Sequence, residues 1–314
     1  MNLNRSVLFG GSLVIGLAVL LRIVITCLWS DAFAYPMLTT DPSAQVLLQE
    51  AVTLPYQGEE SEETDSIPLT ALCAADIQIK YSCSRQPDVE ALLAQPLGWD
   101  LTGDDPTVLI VHTHGTEAFT PVLGGEYEEV GGAYRTTDNS ANVVSLGEEL
   151  ARLLKAVGIH SIHDRNHYDL DYEEAYSQSR AAVKEHLKQH PTIRLVIDLH
   201  RDSITGEDGS QLALSAPVCG EKTARVMLVV GTDSRSDHPH WEQNLSLALK
   251  LHAVMEGTHP GITRPLDLRR QRFNQDLSTG AILAEIGTAG NTHEEAMKGV
   301  SVLAEAIIRM EERR

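Results

Sequence analysis

Residues 108–117 read VLIVHTHGTE: four apolar residues lead into two histidines separated by one threonine, with a glutamate three residues after the second. A short apolar run bounded by polar groups has the pattern of a buried strand. The groups at its end would then emerge from the core at a sheet edge. Beyond residue 105 the same rhythm continues. SANVVSLGEELARLLKAVG has Val143, Leu146, Leu150, Leu153 and Val157 at helical spacing, with Gly158 as a stop signal. IHSIH is a short strand, YEEAYSQSRAAVKEHLKQH a helix, IRLVIDLH and ARVMLVVG apolar strands, WEQNLSLALKLHAVMEG a helix, AILAEIG a strand, and 294–312 a last helix. Alternation of this kind predicts an α/β fold: a mostly parallel twisted sheet with helices on both faces.

Three of the apolar strands end in groups able to do chemistry. VLIVHTHGTE ends in histidines and a glutamate, LVIDLHRD in His200 and its neighbours, and ILAEIG in Glu285. Open α/β sheets bind ligands at the carboxyl ends of their strands, so the three clusters are expected to converge. Two histidines and a carboxylate suit a catalytic Zn2+ site, with a separate glutamate to take a proton from water. Glu285 lies between apolar residues and is costly to bury unless it sits at a strand tip or beside a positive group. His160, His238, His252 and His259 belong to no such cluster.

The chain has 314 residues and a formal net charge of -19, which argues against binding nucleic acid through its phosphates. Residues 7–29 are mostly apolar and carry no charge apart from Arg22, roughly the length that crosses a bilayer. Arg5 before the run and the acidic bulk after it predict a single-pass anchor in the cytoplasmic membrane, with the body outside the cytoplasm. A removed signal peptide, cleaved near AFA at 32–34, is the competing reading. YQGEESEETDSIP is too acidic and too poor in apolar residues to bury a core. The expected organisation is therefore an anchor or signal over 1–30, an acidic stalk of weak structure over 31–105, and a catalytic domain over 106–314. A helical patch at PDVEALLAQPL is expected to dock on that domain.

LIVHTHGTEAF, TTDNSANVVSLGEELARLLKAVGI, HDRNHYDLDYEEAYSQSR, VIDLHRDS and AEIGTAGNTHEEA, in this order, resemble the stage II sporulation protein P family over residues 105–312. The resemblance implies an amidase-like fold behind a membrane anchor. It also implies a cell-wall hydrolase of endospore formers, similar to zinc-dependent N-acetylmuramoyl-L-alanine amidases and able to cut peptide crosslinks. Its implied partners are peptidoglycan and the stage II sporulation proteins D and M. Two other classes stay open: a non-catalytic wall-binding scaffold, and a zinc peptidase or deacetylase acting on the same polymer.

Carried over residue by residue, the resemblance makes His114 and His200 metal ligands and Glu285 the catalytic glutamate. For the third ligand, proximity favours Glu117, while the likeness of DNSANV to the amidases' EKDVNL favours Asp138. His112, two residues before His114, is expected on the same side, near the metal or orienting a ligand. Asp198 and Asp202 flank His200 as candidates to hold its second nitrogen. Arg201 and Arg135 are candidates for pairing with substrate carboxylates.

Overall fold

A computed structural model of the chain describes residues 77–98, 100–121, 126–132 and 134–312. The expected anchor at 7–29 lies outside the described residues. Among the described residues no helix is long and apolar enough to cross a membrane.

The strands are β1 (Ile79–Ser82), β2 (Val108–Val111), β3 (Ser161–His163), β4 (Leu195–Asp202), β5 (Ser215–Val218), β6 (Glu221–Ala224), β7 (Val226–Gly231), β8 (Leu266–Arg269) and β9 (Ala281–Thr288). The helices are α1 (Val89–Ala94), α2 (Val143–Lys155), α3 (Ala175–Gln189), α4 (Trp241–Thr258) and α5 (His293–Glu312). Seven strands form one sheet in the order β1-β8-β7-β9-β4-β2-β3, and β5 and β6 pair as a separate hairpin. Every neighbouring pair in the large sheet is parallel except β7 with β9. A parallel return needs a long crossover, usually a helix. Between β4 and β7 the chain makes only the β5–β6 hairpin, and β7 comes back antiparallel.

Alternation along the central strands sorts their side chains onto two faces. Leu195, Ile197 and Leu199 of β4 join Ile282, Ala284 and Ile286 of β9 in the large core shared with α2, α4 and α5. On the opposite face, Val196 and Ala281 pack with Val183 of α3 in a smaller cluster. Asp198, His200 and Glu285 continue the register of this thinner face, at the strand ends. α2 begins where Asn142 Oδ1 accepts from the Val144 N–H at 2.9 Å, and Gly158, at φ +82°, turns the chain after it.

The stalk expected over 31–105 is corrected for its final third. β1 pairs with β8, and α1 docks on α4, where the Ser246 hydroxyl and the Lys250 ammonium donate to the Leu92 carbonyl at 2.7 and 2.8 Å. A four-residue strand with little alternation leaves almost no trace in sequence, and its partner β8 was likewise unexpected.

Candidate active site

β2, β4 and β9 are parallel and adjacent to one another, so their carboxyl ends share one edge of the sheet. His200 and Glu285 are directly paired across β4 and β9. Past this pair the register shifts, and Gly287 carries the irregularity at φ +67°. A Cβ there would come within 2.8 Å of Ala224 and Asn291, so only glycine fits. Met227 of β7 pairs with Glu285 from the other side, and Glu285 is half-buried, with its Oε2 shut off from solvent.

β2 stops at Val111, and residues 113–116 turn, carrying His114 over to β4. The His114 and His200 rings lie 5.4 Å apart, edge to face. Glu117 Oε2 sits 3.3 Å from His200 Nδ1 and accepts from the Arg201 backbone N–H at 3.1 Å. The other ring nitrogen of His200, Nε2, is 2.8 Å from Asp198 Oδ1, though not aligned as a hydrogen bond. Asp198 is fixed in turn by the Thr113 backbone N–H at 2.8 Å and hydroxyl at 2.6 Å. His114 Nδ1 is buried and without a hydrogen bond, 3.9 Å from Asp169. Its ring stacks on Tyr172 at 4.7 Å and meets Tyr176 edge-on at 5.5 Å.

The electrostatics follow from burial and neighbours. Burial pushes the Glu285 carboxyl up to about 8; Glu117 and Asp202 add to the rise and His200 opposes it. Burial also works against the Glu117 carboxylate, yet Arg201 and His200 hold it well below the usual carboxylate range. Burial disfavours the His200 imidazolium, but Asp198 and Glu117 outweigh it and raise that group well above its ordinary value. His114 moves the other way: burial lowers it, leaving the neutral imidazole that ligation requires.

The donor set fits zinc. Among the described residues no three His, Cys, Asp or Glu side chains close on a single point. The 3.3 Å between Glu117 Oε2 and His200 Nδ1 nevertheless matches the edge of a tetrahedron with legs of about 2.0–2.1 Å. A carboxylate on the far nitrogen, as Asp198 provides, is the usual companion of a ligating histidine. The proton drawn onto His200 by two carboxylates marks a place where a cation would be favoured.

Four expectations need correction. Asp138 does not join the cluster: it is exposed, and its Oδ1 accepts from the Ser140 N–H at 2.9 Å and hydroxyl at 2.7 Å. His112 lies away from it, because the strand ends before the alternation can carry through. Its Nδ1 is 3.0 Å from the Leu199 carbonyl and its Nε2 2.9 Å from His163 Nε2. Asp202 does not hold His200; it pairs with Arg264 at 2.7 Å. Neither arginine is free for substrate. Arg201 is buried and donates to the Ala118 and Tyr134 carbonyls at 2.9 and 2.7 Å, and Arg135 donates to Asp169 at 2.5 Å. The residues missed from sequence are Asp169, Tyr172 and Tyr176. They lie on the loop entering α3 and on its first turn, where no periodicity marks a side chain that reaches a strand end.

The sequence pattern of the family Stage II sporulation protein P (SpoIIP) matches residues 41–308. The chain belongs to this family. It is 31% identical over 221 residues to the Stage II sporulation protein P of Bacillus subtilis (strain 168), a match covering 67% of this chain and 52% of that protein. The match thus spans about half the length of that relative. Among solved structures, an N-acetylmuramoyl-L-alanine amidase of Nostoc punctiforme is similar over 66% of this chain and 97% of its own, at 12% identity and a TM-score of 0.40. The CwlD amidase from Clostridioides difficile, solved with the GerS lipoprotein, is similar over 66% of this chain and 98% of its own, at 12% identity and a TM-score of 0.39.

Proposed function

We propose that this SpoIIP-family chain is a zinc-dependent peptidoglycan hydrolase of sporulation that cuts the amide between N-acetylmuramic acid and L-alanine. The carrying observation is the edge-to-edge approach of Glu117 and His200, with Asp198 behind the histidine and Glu285 across the strand pair. Family membership supports the role in sporulation. Its implied partners are the wall polymer and the stage II sporulation proteins D and M, and an anchor at 7–29 would hold the domain on the outer side of the cytoplasmic membrane.

Zinc held by His114, Glu117 and His200 would supply Lewis acidity, enough to bring the pKa of a water to around 7. Asp198 orients His200, and Arg201 and Arg135 keep Glu117 ionised in a buried place. Glu285, paired across the strands with His200, takes a proton from the attacking water and returns it to the leaving nitrogen. Met227 is the register partner of Glu285 on the β7 side.

The test is digestion of purified sacculi with identification of the fragments by mass. Released stem peptides with free lactyl ends on muramic acid support the amidase. Cleavage within the stem peptides instead would make the protein a peptidase, and a metal-free domain that binds sacculi without cutting them would make it a scaffold.

A further inference from the structure

Tyr176 opens α3 and stands over the site on a built support. Its ring packs edge-on against His114 at 5.5 Å and tilted against Phe273 at 5.8 Å. Its backbone carbonyl accepts from the Asn274 side-chain amide at 3.0 Å. Phe273 and Asn274 are consecutive non-glycine residues at φ +50° and +59°. A left-handed conformation at two such residues costs on the order of 1–2 kcal/mol each. Strain of this kind persists where the surroundings over-determine it, as at functional sites. Here it holds the ring and the carbonyl of one tyrosine.

The ring lies directly against His114 of the site. Burial first, and then the charges of Asp198, Glu285 and Glu117, push the phenol pKa above its ordinary value. Yet the hydroxyl donates to no described residue. A hydroxyl on a ring packed against His114, and bonded to no described residue, can donate to a group arriving from outside.

We infer that the Tyr176 hydroxyl is a catalytic donor to the oxyanion that forms at the scissile carbonyl, an inference that rests on the hydrolase reading above. Water adds to the amide carbon and its proton passes to Glu285. The carbonyl electron pair moves onto oxygen, where the Tyr176 O–H donates. Collapse of the adduct restores the carbonyl and breaks the C–N bond, and Glu285 gives its proton to the nitrogen. Tyr176 neither gains nor loses a proton in the cycle.

Tyr176→Phe keeps both ring contacts and removes only the hydroxyl. Full-length wild type and variant are compared in detergent with added zinc, by calorimetric binding of inorganic phosphate, a tetrahedral oxyanion, and by turnover on sacculi. The expected result is unchanged zinc content and KM, kcat lowered about 10²-fold, and phosphate bound about tenfold more weakly. Equal phosphate affinity in the two proteins overturns the inference, and so does a wild type that binds no phosphate. If wild type leaves sacculi intact while phosphate binding still depends on Tyr176, the hydrolase reading fails and the donor stands. If both proteins cut equally and bind phosphate equally, the donor fails and the hydrolase stands.

Discussion

Glu285 and His200 occupy paired positions on β9 and β4, and the Glu285 Oε2 buried there has no hydrogen-bond partner. A buried carboxyl oxygen left unsatisfied is costly, and the proposed reaction would give that oxygen a proton to accept. Glu285→Gln keeps the shape but cannot accept a proton. Zinc content and wall binding should persist while hydrolysis falls by roughly 10²- to 10⁴-fold. Loss of zinc in this variant would instead make Glu285 a ligand.

The ligand assignment has its own test. Alanine at His114, Glu117 or His200 should abolish bound zinc, whereas Asp138→Ala should keep it, since that carboxylate is exposed and occupied with Ser140. Asp198→Asn should weaken zinc affinity about 10- to 100-fold without removing a ligand. Metal content after dialysis reads all five variants, and a zinc-free Asp138→Ala protein would return that residue to the site.

The strand-end residues of this site were legible in sequence because apolar runs locate the core and their ends locate its rim. The roles proposed for His114, His200 and Glu285 came from the family resemblance, which the runs alone do not supply. What failed was orientation: two-residue alternation placed His112 beside His114, but it holds only while the strand lasts, and β2 ends at Val111. Arg201 and Asp202 failed for a related reason. Their partners, the carbonyls of Ala118 and Tyr134 and the guanidinium of Arg264, come from distant segments. The antiparallel β7 was readable in principle, since the stretch after β4 contains no helical period.

Acid should weaken the fold through its buried histidines. Burial pushes His252 of α4 down from 6.5 to about 4, with Glu256 opposing, and burial likewise brings His163 and His238 to about 4. Between pH 6.5 and 4 the unfolded chain takes up protons that the folded chain refuses, so stability present above 6.5 is lost as the pH falls through that window. His252→Leu should remove up to about 3 kcal/mol of that loss. Thr263 remains satisfied in the variant, because its hydroxyl donates to Glu256. Urea unfolding at a series of pH values reads the slope, and an identical slope in parent and variant would show that His252 does not carry it.

Gly147 offers a prediction whose sign decides it. It lies inside α2, where replacing glycine by alanine at an open position stabilises a helix by about 1 kcal/mol. Here a Cβ would approach His112 Nε2 within 2.6 Å and come closer still to His163 Nε2. Those two nitrogens already meet at 2.9 Å, and His112 is anchored on its other side to the Leu199 carbonyl, so the pair cannot retreat into the sheet. Gly147→Ala should therefore destabilise the protein by about 1–3 kcal/mol, the usual cost of overpacking a filled core. Adding His163→Ala should recover part of that loss, because the two sites touch and their effects cannot be additive. Unfolding midpoints of the single and double variants measure both effects. A Gly147→Ala protein as stable as its parent would mean that the histidine pair does not fill the space against α2.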